Sequence, residues 1–402
     1  MSRRITIGLV PLLLACSADE PTRPAGNGLR VEILDAGSLS LRQGGSTMLA
    51  ARVLDADGNI VPGVPVRWRT LDGAVARVDA SGALDGEGPG AARVEASVEG
   101  GTSDTATVDV FGHPEGLLVD RITLDDAPFG VAISRQGAAL VTRAWAASVA
   151  RLSLSPFRVT TNIAVGEVPT GVAFSASGDT AYVTNQLSHS VGVIDLASDA
   201  QVATVEIRGD PFVVTVSPDD RTVYATQNGE WVFAIDRATH AVRDSVRVGS
   251  APNGFALHPS GETMYVSASY GGTITEMSLA TGAVLRTFSP GGMPQGMVVS
   301  ADGRELYSAN EDGWLDVFDL TTGERVDRVT TDGGGFGIAL SPDEAHVYVS
   351  LSNAGKVQVV NLAARRVTLT LGVGGRPRRI AFDYHGGNAV VANEAGWVDL
   401  VR

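Results

Sequence analysis

Pro169-Thr170-Gly171-Val172-Ala173-Phe174-Ser175, closely followed by Tyr182-Val183-Thr184-Asn185, decides the fold, because the chain repeats it. The anchor residues are Pro128, Pro169, Pro211, Pro252, Pro294, Gly335 and Pro377, at spacings of 41, 42, 41, 42, 41 and 42 residues. A fixed period of roughly 20–50 residues marks a solenoid, a propeller or another array. The second copy holds four short apolar runs, 171–175, 181–185, 191–196 and 202–207. Four strands of about five residues plus loops of about 4–6 account for the period. None of the runs has the length or periodicity of a helix.

Four-stranded units of this size are blades of a β-propeller, which carries about 4–8 of them. The seventh copy ends in its third strand, Trp397-Val398-Asp399-Leu400-Val401. A matching fourth strand, Leu117 to Leu124, lies directly before Pro128. The sequence therefore predicts seven blades over 112–402, with the early strand completing the last blade and removing a sheet edge that would template aggregation. One innermost column is mostly small (Ala132, Ala173, Thr215, Ala256, Val298, Ala339, Ala381) beside a larger one (Val131, Val172, Val214, Phe255, Met297, Ile338, Ile380). Such alternation fits tapered sheets around an axis.

These units resemble the YVTN β-propeller repeat family. Tyr182-Val183-Thr184-Asn185 is the motif complete, and Tyr224-Ala225-Thr226-Gln227, Tyr265-Val266-Ser267-Ala268, Tyr307-Ser308-Ala309-Asn310 and Tyr348-Val349-Ser350-Leu351 are variants. The first and last copies, Leu140-Val141-Thr142-Arg143 and Val390-Val391-Ala392-Asn393, depart most. The resemblance implies the fold and no single activity.

Residues 29–111 alternate apolar and polar positions in short segments such as Val64-Val66-Trp68 and Ala92-Val94-Ala96-Val98, as half-buried strands do. Gly44-Gly45-Ser46, Val66-Arg67-Trp68, Val75-Ala76-Arg77-Val78-Asp79, Gly82, Gly90-Ala91-Ala92-Arg93-Val94 and Thr105-Ala106-Thr107-Val108 follow the order found in bacterial Ig-like domains of group 2. The resemblance implies an Ig-like β-sandwich acting as a spacer or adhesive module outside the cytoplasm, with Trp68 in its core.

At the amino terminus Arg3-Arg4 precede an apolar run, 5–14, too short to cross a bilayer as a helix. It ends Leu13-Leu14-Ala15-Cys16, which resembles a bacterial lipobox, and Cys16 is the only cysteine. Residues 1–15 are thus expected to be a lipoprotein signal peptide, Cys16 the lipidated residue and 16–28 a flexible tether. The expected location is the cell envelope, lipid-anchored, on a bacterial membrane.

Composition narrows the function. The 402 residues are 44% hydrophobic and 19% charged, which excludes disorder, and one cysteine excludes an internal disulfide and a cysteine metal site. A net charge of -14 opposes nucleic-acid binding. The six histidines make no HxH or HxxxH pair, so no metal is expected, and no cofactor motif occurs.

Loops entering strand one and leaving strand two share a propeller face. That face is expected to carry ligand-binding residues Phe129, Arg143, Trp145, Asn185, Phe212, Gln227, Asn253, Gln295, Asn310, Glu311, Phe336, Arg378, Asn393 and Glu394. Aromatic walls with few directed polar groups suit a small polar ligand or a peptide, although Asn and Thr also end strands through turn chemistry alone. Trp231, Trp314 and Trp397 share one column, as a partner-contact patch or as packing between blades. No catalytic constellation is evident. The expected function is a lipid-anchored binding or scaffold protein for a protein, glycan or small-molecule partner. The alternative is a lactonase- or lyase-like hydrolytic or eliminating enzyme at the axial face, which would require ionisable groups converging on the channel.

Overall fold

The computed structural model describes residues 28–34, 37 and 39–402. The signal segment, Cys16 and the tether up to residue 27 lie outside the described residues.

The N-terminal part is built of sheets. A four-stranded sheet runs Leu39–Arg42, Ser103–Phe111, Gly90–Ser97, Arg67–Thr70, and a three-stranded sheet runs Ser46–Met48, Ala83–Gly86, Ala76–Val78. Arg30–Ile33 pairs with Ala51–Leu54. Gly90–Ser97 buries Ala92, Val94 and Ala96 and turns Ala91 and Arg93 outward, the period of two that a pleated strand imposes. Its buried face meets Ala76 and Leu84 of the three-stranded sheet and Leu49 just beyond its first strand. Trp68 packs against both apolar clusters of this part.

Residues 118–401 form seven four-stranded antiparallel sheets. The first, from the axis outward, is Pro128–Ile133, Ala139–Arg143, Ser148–Leu154, Phe157–Ala164, and the pattern recurs sheet by sheet. Innermost strands touch their neighbours in cyclic order, and the first touches the last. The seventh sheet takes Leu118–Thr123 as its outer strand, paired with Trp397–Val401. Arg121 of that outer strand bonds the fully buried Asp399 (2.6 Å) and the Val373 carbonyl (2.7 Å), and lies over Trp397.

The core lies between consecutive blades. One cluster joins Leu140 and Val149 of the first blade to Val172, Ala181, Val183 and Ile194 of the second, and another joins the seventh to the first. Each fully buried aliphatic side chain contributes about 1.5–3 kcal/mol. This repeated apolar seam is what makes a ring of small sheets cooperative.

Strand one and strand two do not pair continuously. Their register shifts just after the anchor residue, for example between Pro128 and Val131 and between Pro377 and Ile380. Such a bulge re-aims side chains, and here it turns the residues after the anchor toward the axis. The turns at the other face carry the N-terminal part. Phe111 packs edge-on to Tyr384 and stacks on His385, whose Nε2 is 3.0 Å from Asp109. The Gly112 N–H donates to the His385 carbonyl (2.9 Å), and Arg42 pairs with Glu344.

Candidate functional site at the propeller axis

The bulges bring Phe129, Phe212 and Phe336 together from blades one, three and six. Phe129 packs edge-on to both others, at centroid distances of 5.5 and 5.7 Å. Arg378 of blade seven lies over Phe129 and Phe336 and donates from Nε to Glu394 (2.6 Å). A polar chain faces them: Asn253 Nδ2 donates to Gln295 Oε1 (3.0 Å), and Gln295 Nε2 to Glu311 Oε1 (3.1 Å). Burial raises the Glu311 pKa, opposed by Arg378. Eight of the residues expected on this face therefore form one cluster.

A ninth residue, absent from the sequence expectation, sits at its centre. Arg379 crosses the channel from blade seven and donates from Nη2 to the Asn253 carbonyl of blade four (2.9 Å). It lies over Phe336 and has no carboxylate in pairing range among the described residues. Burial first, and Arg378 second, lower its pKa to about 10. The column it occupies reads Gly130, Gly171, Val213, Gly254, Gly296, Gly337, Arg379. A Cβ at Gly254 or Gly337 would collide with the carbonyl of Gln295 or Arg378 in the next blade, which is why glycine holds the column. The departure at Arg379 is a signal the sequence carried. The column's two side-chain members, Val213 and Arg379, line a cavity of about 130 Å³ with Phe129, Thr170 and Phe212. That space is large enough for an anionic head group. The opposite mouth of the channel is wider, about 550 Å³, and mostly apolar, lined by residues such as Met297, Ile338 and Phe382.

A ring of hydroxyls ties the inner strands. Thr142 Oγ1 accepts from the Gly130 N–H and donates to the Thr170 carbonyl of the next blade. Thr184, Ser267 and Ser350 donate likewise to the carbonyls of Phe212, Gln295 and Arg378. Blades five and seven hold Ala309 and Ala392 at this position. In blade three Thr226 only accepts, from the Val213 N–H, and Arg379 takes the Asn253 carbonyl instead.

Other expected ligand residues are spent on structure. Asn310 accepts from the Met293 and Asp312 N–H groups and donates to the Gly291 carbonyl, and Asn393 repeats this with Arg376, Ala395 and Gly374. Both side chains are fully buried staples for the loop entering strand one; Asn185 is equally buried but reaches only Ser190 of the neighbouring strand, and its Oδ1 has no partner among the described residues. Arg143 holds the same loop in blade one through Asp126 and the Leu124 carbonyl. Loop-holding hydrogen bonds account for Asn310, Asn393 and Arg143. Gln227 accepts from the Glu230 N–H at the blade edge, and Trp145 is 71% exposed on the rim, with Tyr270 in the equivalent loop of blade four.

The tryptophan column divides. Trp314 and Trp397 donate to the buried Asp316 and Asp399 and lie under Arg328 and Arg121, so they pack within their blades. Blade three has Phe233 where those blades have aspartate. Trp231 lacks that cradle, is 40% exposed and borders a cavity of about 500 Å³ with Arg208, Gln227 and Glu230.

Comparison with known proteins agrees with this architecture. The family model "Lactonase, 7-bladed beta-propeller" matches residues 142–300. The C-terminal part is a seven-bladed β-propeller similar to that family. The chain is 32% identical over 158 residues, 37% of its length and 40% of the relative, to "Seven-bladed beta-propeller protein Rv1057" of Mycobacterium tuberculosis. It is 25% identical over 186 residues, 44% of the chain and 41% of the relative, to "Antigen Lp49" of Leptospira interrogans. The alignments thus span about two fifths of the length of these curated relatives. A chain of Kuenenia stuttgartiensis hydrazine synthase shares the fold at TM-score 0.65 and 19% identity, covering 72% of this chain and 99% of that one.

Proposed function

We propose that the protein is a lipid-anchored extracytoplasmic binding protein whose propeller face takes a ligand through an anionic group. The observation carrying this reading is Arg379, a half-buried guanidinium with no carboxylate partner among the described residues, beside a small cavity at the channel mouth. An unpaired charge held partly out of water is costly, and a carboxylate or phosphate supplied by a ligand offsets that cost. The three phenylalanines give a wall for the apolar body of such a ligand. Residues 29–111 serve, in this reading, as an Ig-like spacer between lipid and propeller.

Calorimetric titration with glucuronate and with inorganic phosphate tests it. Saturable binding to the wild type and at least tenfold weaker binding to Arg379→Met is the expected result. No binding of either anion, or equal binding by the variant, removes the proposal.

The similarity to lactonases over 142–300, together with the raised pKa of Glu311 beside Arg378, favours one second reading. In it Arg378 polarises a lactone carbonyl, and Glu311 takes a proton from attacking water and returns it to the ring oxygen as the acyl C–O bond breaks, giving the hydroxy acid. Hydrolysis of an aldonolactone that is lost in Glu311→Gln would select this reading over simple binding.

A further inference from the structure

On the face opposite the axial cluster, the segment joining the two parts crosses blade six. His113 Nδ1 lies 2.6 Å from Asp343 Oδ2, and the His113 and His346 rings face each other with centroids 4.1 Å apart. His113, distant in sequence, and the near neighbours Asp343 and His346 thus place one ligand atom each within 4.8 Å of the others. Asp343 is only 7% exposed and its second oxygen is fixed by the Ser341 hydroxyl (2.6 Å) and the Ala345 N–H (3.1 Å). The linker is fixed as well, since the Tyr348 hydroxyl donates to the Pro114 carbonyl (2.7 Å). The free nitrogen of His346, Nδ1, is buried with no hydrogen-bond partner.

We propose that His113, Asp343 and His346 bind a divalent transition metal, zinc by ligand type, and that the ion staples the linker to blade six. Two imidazoles and one carboxylate are a borderline N/O set that zinc takes at ~2.0–2.2 Å, with a water in the fourth position. Tetrahedral bonds of that length put ligand atoms about 3.3 Å apart. The His113–Asp343 contact therefore opens by less than an ångström, and His346 closes by at most about 1.5 Å. The donor on His346 is Nδ1, because Nε2 faces the Asn361 amide at 3.0 Å. Asn361 is itself oriented by the Ala364 N–H, which donates to its Oδ1 (2.8 Å). In the metal-free protein the His346 proton is therefore on Nδ1. Metal binding moves it to Nε2 and turns Asn361 so that its carbonyl accepts it.

That proton shift gives a test with opposite signs. Zinc chloride is titrated into the full chain after chelator treatment, with calorimetry and bound-metal analysis as readouts. The wild type is expected to bind one equivalent at micromolar or lower Kd. His113→Ala and His346→Ala are each expected to lose at least tenfold, and His385→Ala, which pairs with Asp109 elsewhere, to lose nothing. Asn361→Asp is expected to bind several-fold tighter, because a carboxylate accepts from both the Ala364 N–H and the His346 Nε2–H. No uptake by the wild type, or wild-type affinity in both histidine variants, overturns the site. Binding by Asn361→Asp no tighter than wild type overturns the arrangement through Nδ1.

Discussion

Arg379 takes part in two competing demands on a single residue. Its guanidinium is desolvated without a carboxylate, which destabilises the fold, and it is the group best placed to hold an anion. Arg379→Met should raise stability by about 1 kcal/mol while weakening anion binding at least tenfold, as replacement of an unpaired, partly desolvated charge by an apolar side chain often stabilises. Arg378→Met should do the reverse to stability, since it removes the hydrogen-bonded partner of Glu394 and leaves only Arg376, at 3.7 Å. Thermal melts of the two variants separate the cases. Glu311 gives a pH-dependent counterpart. Its folded pKa is raised above the ordinary 4.5, so the folded state holds its proton longer than the unfolded chain and loses stability as pH rises through that interval. Glu311→Gln should match the wild type in melting below pH 4 and exceed it increasingly toward neutral pH. Equal melting temperatures at both ends would contradict the raised pKa. At this scale the repeat columns made the converging phenylalanines, Arg378 and Glu394 legible. Asn310 and Asn393 were not separable from ligand groups, because the same amide that ends a strand also suits a ligand. His113 and His346 were not legible at all, being brought together only by the path of the linker.

Among the elements, the outer strand of blade seven is distinctive because it comes from the other end of the domain. Arg121 joins it to the fully buried Asp399. Removing one partner of a buried pair costs about 3–5 kcal/mol, which Arg121→Ala should show as a loss of roughly ten degrees in Tm. Arg328→Ala breaks the similar pair with Asp316 inside one hairpin. Both should destabilise, but only Arg121→Ala should raise amide exchange along Trp397–Val401. Equal protection of that strand in the two variants would mean that the arginine does not hold it. Strand positions and their period were readable because alternation and turn residues are local signals. The division of the tryptophan column was half-readable: the aspartates two residues after Trp314 and Trp397, and Phe233 after Trp231, were present in the sequence. The arginines that complete the cradle lie on another strand.

At the scale of the whole molecule, the architecture followed from a 41–42-residue period, whereas attachment rests on residues beyond the described ones. No helix among the described residues is long and apolar enough to cross a membrane. If Cys16 carries the lipid, Cys16→Ser should shift the protein from the membrane to the soluble fraction without altering its melting temperature. Retention on membranes after a high-salt wash would argue against the lipid. The hydroxyl ties between inner strands have a mechanical consequence. They cross four blade junctions and are missing where blade three meets four, five meets six and seven meets one. Under load such a ring parts at its untied junctions into arcs of three, two and two blades. Arg379 is then a crossbar from the last arc to the middle one, and whatever occupies the channel pulls on that bar.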